Sequence, residues 1–245
     1  MSKRWYQENK RDPWRRDAKA KGYRARSAYK LKQIQEKFGL IRKGDAVLDI
    51  GCHPGGWTQV ALEEAGPSGL VIGVDLLATS PIEGAVVVTG DITEDSTIEE
   101  VIENLGKRNL NAVISDISPR LTGRYDTDQA ISLELSTMAL DVADDLLAPG
   151  GSFVTKVFQG VGIEGLIEAA KLRFSAVGRY SPTASRSASS ETYLVCQRKH
   201  QNHNGGASAM DHLQSHLEKI GIVTNDSEEQ GIDPKVGFRK ISRRE

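Results

Sequence analysis

Cysteine is scarce in this sequence of 245 residues, with Cys52 and Cys196 the only two, far apart in the chain. Their separation matches neither a disulfide framework nor the ligand spacing of a zinc site, so no metal site is predicted. The sequence also lacks any apolar run approaching the roughly eighteen residues that span a bilayer, and no apolar segment follows its basic start. These absences argue against a membrane span and a secretory signal and predict a reducing, cytoplasmic location.

The composition is typical of a folded protein. Hydrophobic residues make up 38% of the chain and charged residues 27%, with a net charge of only -1. This lies far from the low-hydrophobicity, high-charge composition of disordered chains. The length suits a single α/β domain with modest additions.

The small net charge hides a strong asymmetry along the chain. Residues 1–43 contain 15 Lys and Arg against 4 acidic residues, a net +11, so the remainder carries -12. Aromatic residues are interleaved with this basic charge: Trp5, Tyr6, Trp14, Tyr23 and Tyr29. A basic arm of this kind on an acidic body is typical of a surface that binds a polyanion, although a solvated arm or one paired with the body would have the same composition.

Short apolar runs alternate with longer amphipathic stretches after residue 43. The apolar runs predict strands over residues 46–50, 70–75, 85–88, 111–116, 151–158, 174–180 and 191–196. The amphipathic pattern predicts helices over residues 25–38, 57–65, 96–105, 128–147 and 163–172. Such alternation is typical of a mostly parallel sheet covered by helices on both faces. The last two predicted strands have no helix between them, which favours a hairpin and one antiparallel strand.

A glycine-rich loop follows the first predicted strand and precedes a helix, where doubly wound sheets bind cofactors. It contains Gly51, Gly55 and Gly56 with Pro54 among them, and so departs from the G-x-G-x-x-G dinucleotide pattern. Asp75 closes the second predicted strand, and Asp91 lies just past the third. A glycine loop combined with acids at successive strand ends favours an adenosine-type ligand over a plain tight turn.

Several motifs in fixed order resemble one known family. DIGCHPGGWTQ, followed by GVDL, GDIT, SDISP and TKVFQG, is similar to the ribosomal RNA large-subunit ribose 2'-O-methyltransferases, which include the bacterial heat-shock methyltransferases. The resemblance covers residues 22–196. It implies an α/β, Rossmann-like methyltransferase fold that uses S-adenosyl-L-methionine, with a seven-stranded, mostly parallel sheet whose last strand is antiparallel.

The resemblance also implies roles for individual residues. Gly55 and Trp57 would line the methionine end of the cofactor, Asp75 the ribose and Asp91 the adenine. Asp116 would touch the methyl-donor end. The family acts through two lysines, an aspartate and a glutamate, and residues in matching contexts are Lys30 in RSAYKL, Asp116 in SDISP, Lys156 in VTKVF and Glu191 in SSETYLV.

Lys156 attracts attention independently of the resemblance. A charge among the apolar residues of GSFVTKVF is costly to bury unless it is paired. Our hypothesis is that Lys156 removes the proton from a ribose 2'-hydroxyl, that a nearby Lys30 lowers its pKa, and that Asp116 and Glu191 hold the two ammonium groups. As bare residues, Lys30 and Lys156 could equally reach solvent, Asp116 could form a turn and Glu191 could begin a strand.

RNA is the expected partner, because only RNA carries a 2'-hydroxyl and a basic arm would follow its phosphates. A uridine of large-subunit ribosomal RNA is the expected target, with transfer RNA as the alternative. A nicotinamide-dependent oxidoreductase and a catalytically silent RNA-binding relative remain as other classes.

The expected organisation is a basic RNA-binding arm and helix over residues 1–43, a catalytic domain over 44–198, and a linker and extension over 199–245. The role of the extension stays open between an extra RNA contact and a disordered tail. We expect a monomer.

Overall fold

A computed structural model describes residues 12–186, 189–201 and 206–222 of the chain. The first eleven residues of the basic arm, with Trp5 and Tyr6, lie outside this range. So does the end of the extension, from residue 223 onward. None of the helices in the described ranges is long and apolar enough to cross a membrane.

The described residues form seven strands in one sheet with the order β3-β2-β1-β4-β5-β7-β6. The strands are β1 (Ala46–Ile50), β2 (Leu70–Asp75), β3 (Ala85–Thr89), β4 (Leu110–Ser115), β5 (Leu147–Phe158), β6 (Phe174–Tyr180) and β7 (Glu191–Lys199). The pairing of β6 with β7 confirms the hairpin predicted for the last two strands. Strand β7 runs antiparallel to both β5 and β6, which confirms the predicted mostly parallel sheet with an antiparallel last strand.

Helices cover both faces of the sheet. In the described part of the chain they are α1 (Pro13–Ala20), α2 (Ala28–Phe38), α3 (Gly56–Ala65), α4 (Asp95–Leu105), α5 (Tyr125–Leu146), α6 (Ile163–Arg173) and α7 (Ala209–Lys219). Apolar residues of α2 and α3 pack on one face of the sheet, and those of α4, α5, α6 and α7 on the other. Strand residues alternate between these two cores, as the pleat requires. Val47 of β1, for example, joins the first core, and Leu48 joins the second.

The start of α2 differs from the sequence prediction, which began this helix at residue 25. The main chain before it is held in another conformation by α3. The Gln59 side chain accepts a hydrogen bond from the Arg24 N–H and donates one to the Gly22 carbonyl. The Trp57 indole N–H donates to the Ser27 carbonyl at 2.8 Å. These contacts involve residues about 30 positions away in the sequence. The apolar periodicity on which the helix prediction relied does not include them, so it placed the start of α2 too early.

The helix α7 packs on the body of the protein and is not separated from it. Its residues Ala209 and Leu213 are buried with α5 and α6. The guanidinium of Arg173, which is 1% exposed, donates to the Ala207 carbonyl just before this helix and pairs with Asp144. Asp141 in turn accepts hydrogen bonds from the first N–H groups of α7. Residues 206–222 of the extension are therefore packed as part of the fold. Strand β7 ends at Lys199, so the first residue of the predicted linker belongs to this strand.

Candidate active site

The register of β4, β5 and β7 brings together the lysine and acid residues that were predicted to act in the site. Ser115 of β4 pairs with Thr155 of β5, so Asp116, which follows β4, lies beside Lys156. On the other side of β5, Lys156 pairs with Tyr193 of β7. The site therefore forms at the edge of the sheet where the parallel strands end, as expected for an open α/β sheet.

Lys156 and Asp116 form a buried pair. The Lys156 ammonium lies 3.1 Å from Asp116 Oδ1 and donates to the Asp116 main-chain carbonyl at 2.7 Å. Lys156 is only 5% exposed. The predicted need for a partner in this apolar strand is thus met by a carboxylate and a carbonyl together, which compensates the cost of burying the charge.

Lys30 and Glu191 form a second pair. Lys30 lies on α2, which packs over the face of the sheet that carries Lys156, and its ammonium is 2.5 Å from Glu191 Oε1. Both side chains are largely removed from solvent. The four residues predicted from the sequence are therefore assembled as two lysine–carboxylate pairs, one from β4 and β5 and one from α2 and β7.

Tyr193 links the two pairs. Its hydroxyl donates to Asp116 Oδ1 at 2.9 Å, and its ring centroid lies 5.9 Å from the Lys30 ammonium. Burial raises the pKa of Tyr193 well above its usual value, so the hydroxyl stays a proton donor. The prediction that Lys30 acts directly on Lys156 stays a prediction, and the contacts described here join the two pairs through this tyrosine. Sequence reasoning missed Tyr193, although strand alternation places it on the same face as Glu191, two residues earlier.

The glycine loop is shaped by positions that only glycine tolerates well. Gly51 has a φ of 76° and Gly55 a φ of 112°. A Cβ atom on Gly55 would lie 2.5 Å from Ile82 Cδ1, so a larger residue would also collide with the next loop. The main chain therefore passes close to the segment after β2 and leads directly into the first turn of α3.

Trp57 lies in that first turn, with its ring in the core. It is 2% exposed and stacks on Tyr193, with the ring centroids 5.6 Å apart. Its side chain thus packs against Tyr193, the residue that links the two lysine–carboxylate pairs. A contact with a ligand would be left to the main-chain N–H groups of this turn, which have no partner within the helix.

Asp75 and Asp91 lie at the ends of β2 and β3, as predicted. Asp75 accepts hydrogen bonds from the N–H groups of His53 and Leu77, each at 2.8 Å, so it joins the glycine loop to the loop after β2. Asp91 Oδ1 accepts from the N–H and the hydroxyl of Thr93. Both carboxylates are held in fixed orientations beside the glycine loop or the neighbouring strand end.

Asp49 is a further acid of this region, to which the sequence analysis assigned no role. It is fully buried in β1, and the Thr58 hydroxyl donates to its Oδ2 at 2.7 Å. Burial raises its pKa to about 7, the Thr58 hydrogen bond opposes this rise, and the charges of Asp116 and Asp75 add to it. The signal in the sequence is an acid inside the otherwise apolar run AVLDI.

The aromatic residues of the basic arm within the described range pack on one another. Trp14 and Tyr29 have ring centroids 4.9 Å apart, and Tyr23 lies 5.8 Å from Tyr29. These rings stabilise the attachment of α1 to α2. The basic side chains of α1, including Arg15 and Arg16, face solvent.

The described residues contain no group of three or more His, Cys, Asp or Glu side chains arranged to hold a metal ion. The fold is a Rossmann-like α/β sheet with a glycine loop after β1, and two lysine–carboxylate pairs lie at the same edge of the sheet.

Comparison with known proteins identifies this class. Residues 23–199 match the FtsJ-like methyltransferase family. The chain therefore belongs to the FtsJ-like methyltransferases, which decides against the nicotinamide-dependent oxidoreductase alternative.

The relatives share most of their length with this chain. "Ribosomal RNA large subunit methyltransferase E" of Methanothrix thermoacetophila is 50% identical over 187 residues, which are 76% of this chain and 72% of that protein. The protein of the same name from Granulibacter bethesdensis is 43% identical over 80% of this chain and 84% of its own. A crystal structure of a provisionally assigned ribosomal RNA methyltransferase from Plasmodium falciparum has a TM-score of 0.65 at 29% identity, covering 72% of this chain and 98% of that one.

Proposed function

We propose that this methyltransferase transfers a methyl group from S-adenosyl-L-methionine to the ribose 2'-hydroxyl of a uridine in large-subunit ribosomal RNA. The observation that carries the proposal is the pair of buried lysine–carboxylate contacts, Lys156 with Asp116 and Lys30 with Glu191, at the strand ends beside the glycine loop. The large-subunit ribosomal RNA named for the relatives supports the choice of substrate.

The glycine loop and the strand-end acids fit the proposed cofactor. Gly55 lets the glycine loop pass close to Ile82 in the segment after β2. The N–H groups at the start of α3, which have no partner within the helix, suit a carboxylate such as that of the methionine end. Asp75 suits the ribose hydroxyls and Asp91 the adenine. Asp116 borders the position of the methyl-donor end. When bound, the cofactor supplies an electrophilic methyl carbon on a sulfonium.

The side chains of the site would align the acceptor and take its proton. Lys156, in its neutral form, would accept the proton of the 2'-hydroxyl at Nζ while that oxygen takes the methyl group that the sulfonium of the bound cofactor would supply and release. Asp116 fixes the position of Nζ, and Lys30 with Glu191 orients the ribose. Alignment of the two reactants can lower such a barrier by about 7–11 kcal/mol, so a moderate base is sufficient.

The basic arm is proposed to bind the phosphates of the RNA. The chain would act as a monomer in the cytoplasm, with residues 1–43 as the RNA-binding arm, 44–198 as the catalytic domain and 199–245 as an extension. Binding through the arm should weaken steeply as salt rises, because it releases counterions from the RNA.

The test is transfer of labelled methyl groups to hypomethylated large ribosomal subunits and to transfer RNA in parallel, with nuclease mapping of the product. Label in a 2'-O-methyluridine of the large-subunit RNA is the expected result. Label only in transfer RNA would retain the active-site chemistry and overturn the target. No transfer to either RNA would favour the catalytically silent relative.

A substitution tests the proposed base. Lys156→Ala should lower kcat by a factor of about 10²–10⁴, the usual contribution of general acid–base catalysis, with cofactor affinity retained. Lys171→Ala, which removes an exposed lysine of α6, is the matched control and should leave kcat unchanged. Near-normal turnover by Lys156→Ala would show that another group takes the proton.

A further inference from the structure

Arg24 belongs to the basic arm, yet its guanidinium is bonded to main-chain carbonyls. Nη1 donates to the Ser80 carbonyl at 2.6 Å and to the Pro54 carbonyl at 3.4 Å. Nη2 donates to the Pro81 carbonyl at 2.5 Å. One planar side chain therefore joins two separate loops.

Both loops border the proposed cofactor site. Pro54 lies in the glycine loop between β1 and α3, and Ser80 and Pro81 lie in the segment that follows Asp75 at the end of β2. The contact is close, since Arg24 Cδ lies 3.1 Å from the position of a Cβ on Gly55. Arg24 thus fixes the separation of these two loops.

The main chain of Arg24 is itself fixed to the helix that follows the glycine loop. Its N–H donates to Gln59 Oε1 at 2.8 Å, and Gln59 Nε2 donates to the Gly22 carbonyl at 2.9 Å. The guanidinium therefore projects from a backbone anchored on α3. Both ends of the side chain are fixed to the cofactor half of the protein.

We propose that Arg24 is a positioning residue for the cofactor, holding the glycine loop and the loop after β2 in their binding arrangement. This inference rests on the proposed use of S-adenosyl-L-methionine. The guanidinium fork can reach carbonyls on two loops at once, whereas a lysine ammonium is a compact point charge on a flexible stem. If only its position in the basic arm were considered, Arg24 would be expected to bind RNA phosphates.

The experiment compares Arg24→Met, Arg24→Lys and Arg16→Met in the full chain. Cofactor affinity is measured by titration calorimetry with S-adenosyl-L-methionine and no RNA. KM for RNA is then measured at several salt concentrations, with kcat at saturating cofactor. Arg16→Met is the matched control, because it removes one positive charge from an exposed position of the same arm.

Arg24→Met should weaken cofactor binding about tenfold, equivalent to about 1.4 kcal/mol. Its kcat at saturating cofactor should stay within about threefold of wild type, and its KM for RNA within about twofold. Only the affinity for the cofactor should change, because Arg24 acts on the two loops of the cofactor site. Arg24→Lys should lose most of the same affinity despite keeping its charge. Arg16→Met should show the opposite pattern, with unchanged cofactor affinity.

Unchanged cofactor affinity in both Arg24 variants would overturn the inference. So would a raised KM for RNA with a shallower salt dependence, which would make Arg24 a phosphate contact. If Arg24→Met fails to fold, as judged by circular dichroism, the charge-retaining Arg24→Lys supplies the test. A wild-type protein that binds no S-adenosyl-L-methionine would refute the proposed function itself, whereas a wild type that binds it and variants that bind equally well would refute only the role of Arg24.

Discussion

Asp49 should make the stability of the protein depend on pH in a direction opposite to that of a typical surface acid. Its pKa rises from 3.8 in the unfolded reference to about 7 in the folded protein. Below pH 4 both states are protonated. Between pH 4 and 7 the unfolded state loses this proton and the native state keeps it, so the contribution of Asp49 to the free energy of unfolding falls as pH rises. Above pH 7 the penalty is constant.

The size of this effect follows from the pKa difference. About three pH units at 1.36 kcal/mol each correspond to about 4 kcal/mol as an upper limit. Asp49→Asn removes the titration but keeps an oxygen that can accept the Thr58 hydroxyl hydrogen bond. The variant should therefore gain stability relative to wild type as pH rises from 4.5 to 7.5, by an amount on the order of 2–4 kcal/mol.

Urea unfolding of both proteins at pH 4.5, 6.0 and 7.5, without cofactor, measures this difference directly. Glu99→Gln, which replaces an exposed acid on α4, serves as the control and should show no comparable trend. A difference between Asp49→Asn and wild type that stays constant over this pH range would refute the reasoning. It would mean that Asp49 titrates as it does in the unfolded chain.

Three further predictions follow from packing and hydrogen bonding. Arg173→Met should lower the free energy of unfolding by about 1–3 kcal/mol, measured by urea unfolding, because the Ala169 and Ala207 carbonyls and the half-buried Asp144 each lose a hydrogen bond from the guanidinium. Gly55→Ala should weaken cofactor binding in calorimetry and cost about 1–3 kcal/mol of stability, owing to its φ and the collision with Ile82. Tyr193→Phe, which removes one hydrogen bond to Asp116, should lower kcat by about two- to tenfold with unchanged cofactor affinity in steady-state assays. A wild-type kcat in this variant would show that the link between the lysine pairs is not used.

Much of the fold could be predicted because the strands of a covered parallel sheet are apolar runs. The predicted ends of β1, β2 and β6 agree with the structure. Asp116 and Lys156 were assigned to the site by the family resemblance, and the charge of Lys156 inside an apolar run pointed to it independently. The helix α1 was missed because it is short and highly charged. Within it Ala18 is the one buried residue, so no apolar periodicity marks the helix in the sequence.

The rest of the site depends on contacts between distant segments. The link through Tyr193 requires the pairing of β5 with β7, which strand patterns do not specify residue by residue. The bonds of Arg24 require the exact course of two loops without periodicity. The docking of α7 depends on Arg173, whose charged side chain would be assigned to the surface by composition alone.

The insertion of β7 between β5 and β6 has a consequence for how the enzyme is made. Until residues 191–199 emerge, β5 and β6 cannot be joined, and each leaves an open strand edge that could pair with other chains. The same strand carries Glu191 and Tyr193. A growing chain without β7 therefore has neither a continuous seven-stranded sheet nor a complete set of site residues. Pairing of this one strand should cover the open edge of β5 and complete the site in the same step.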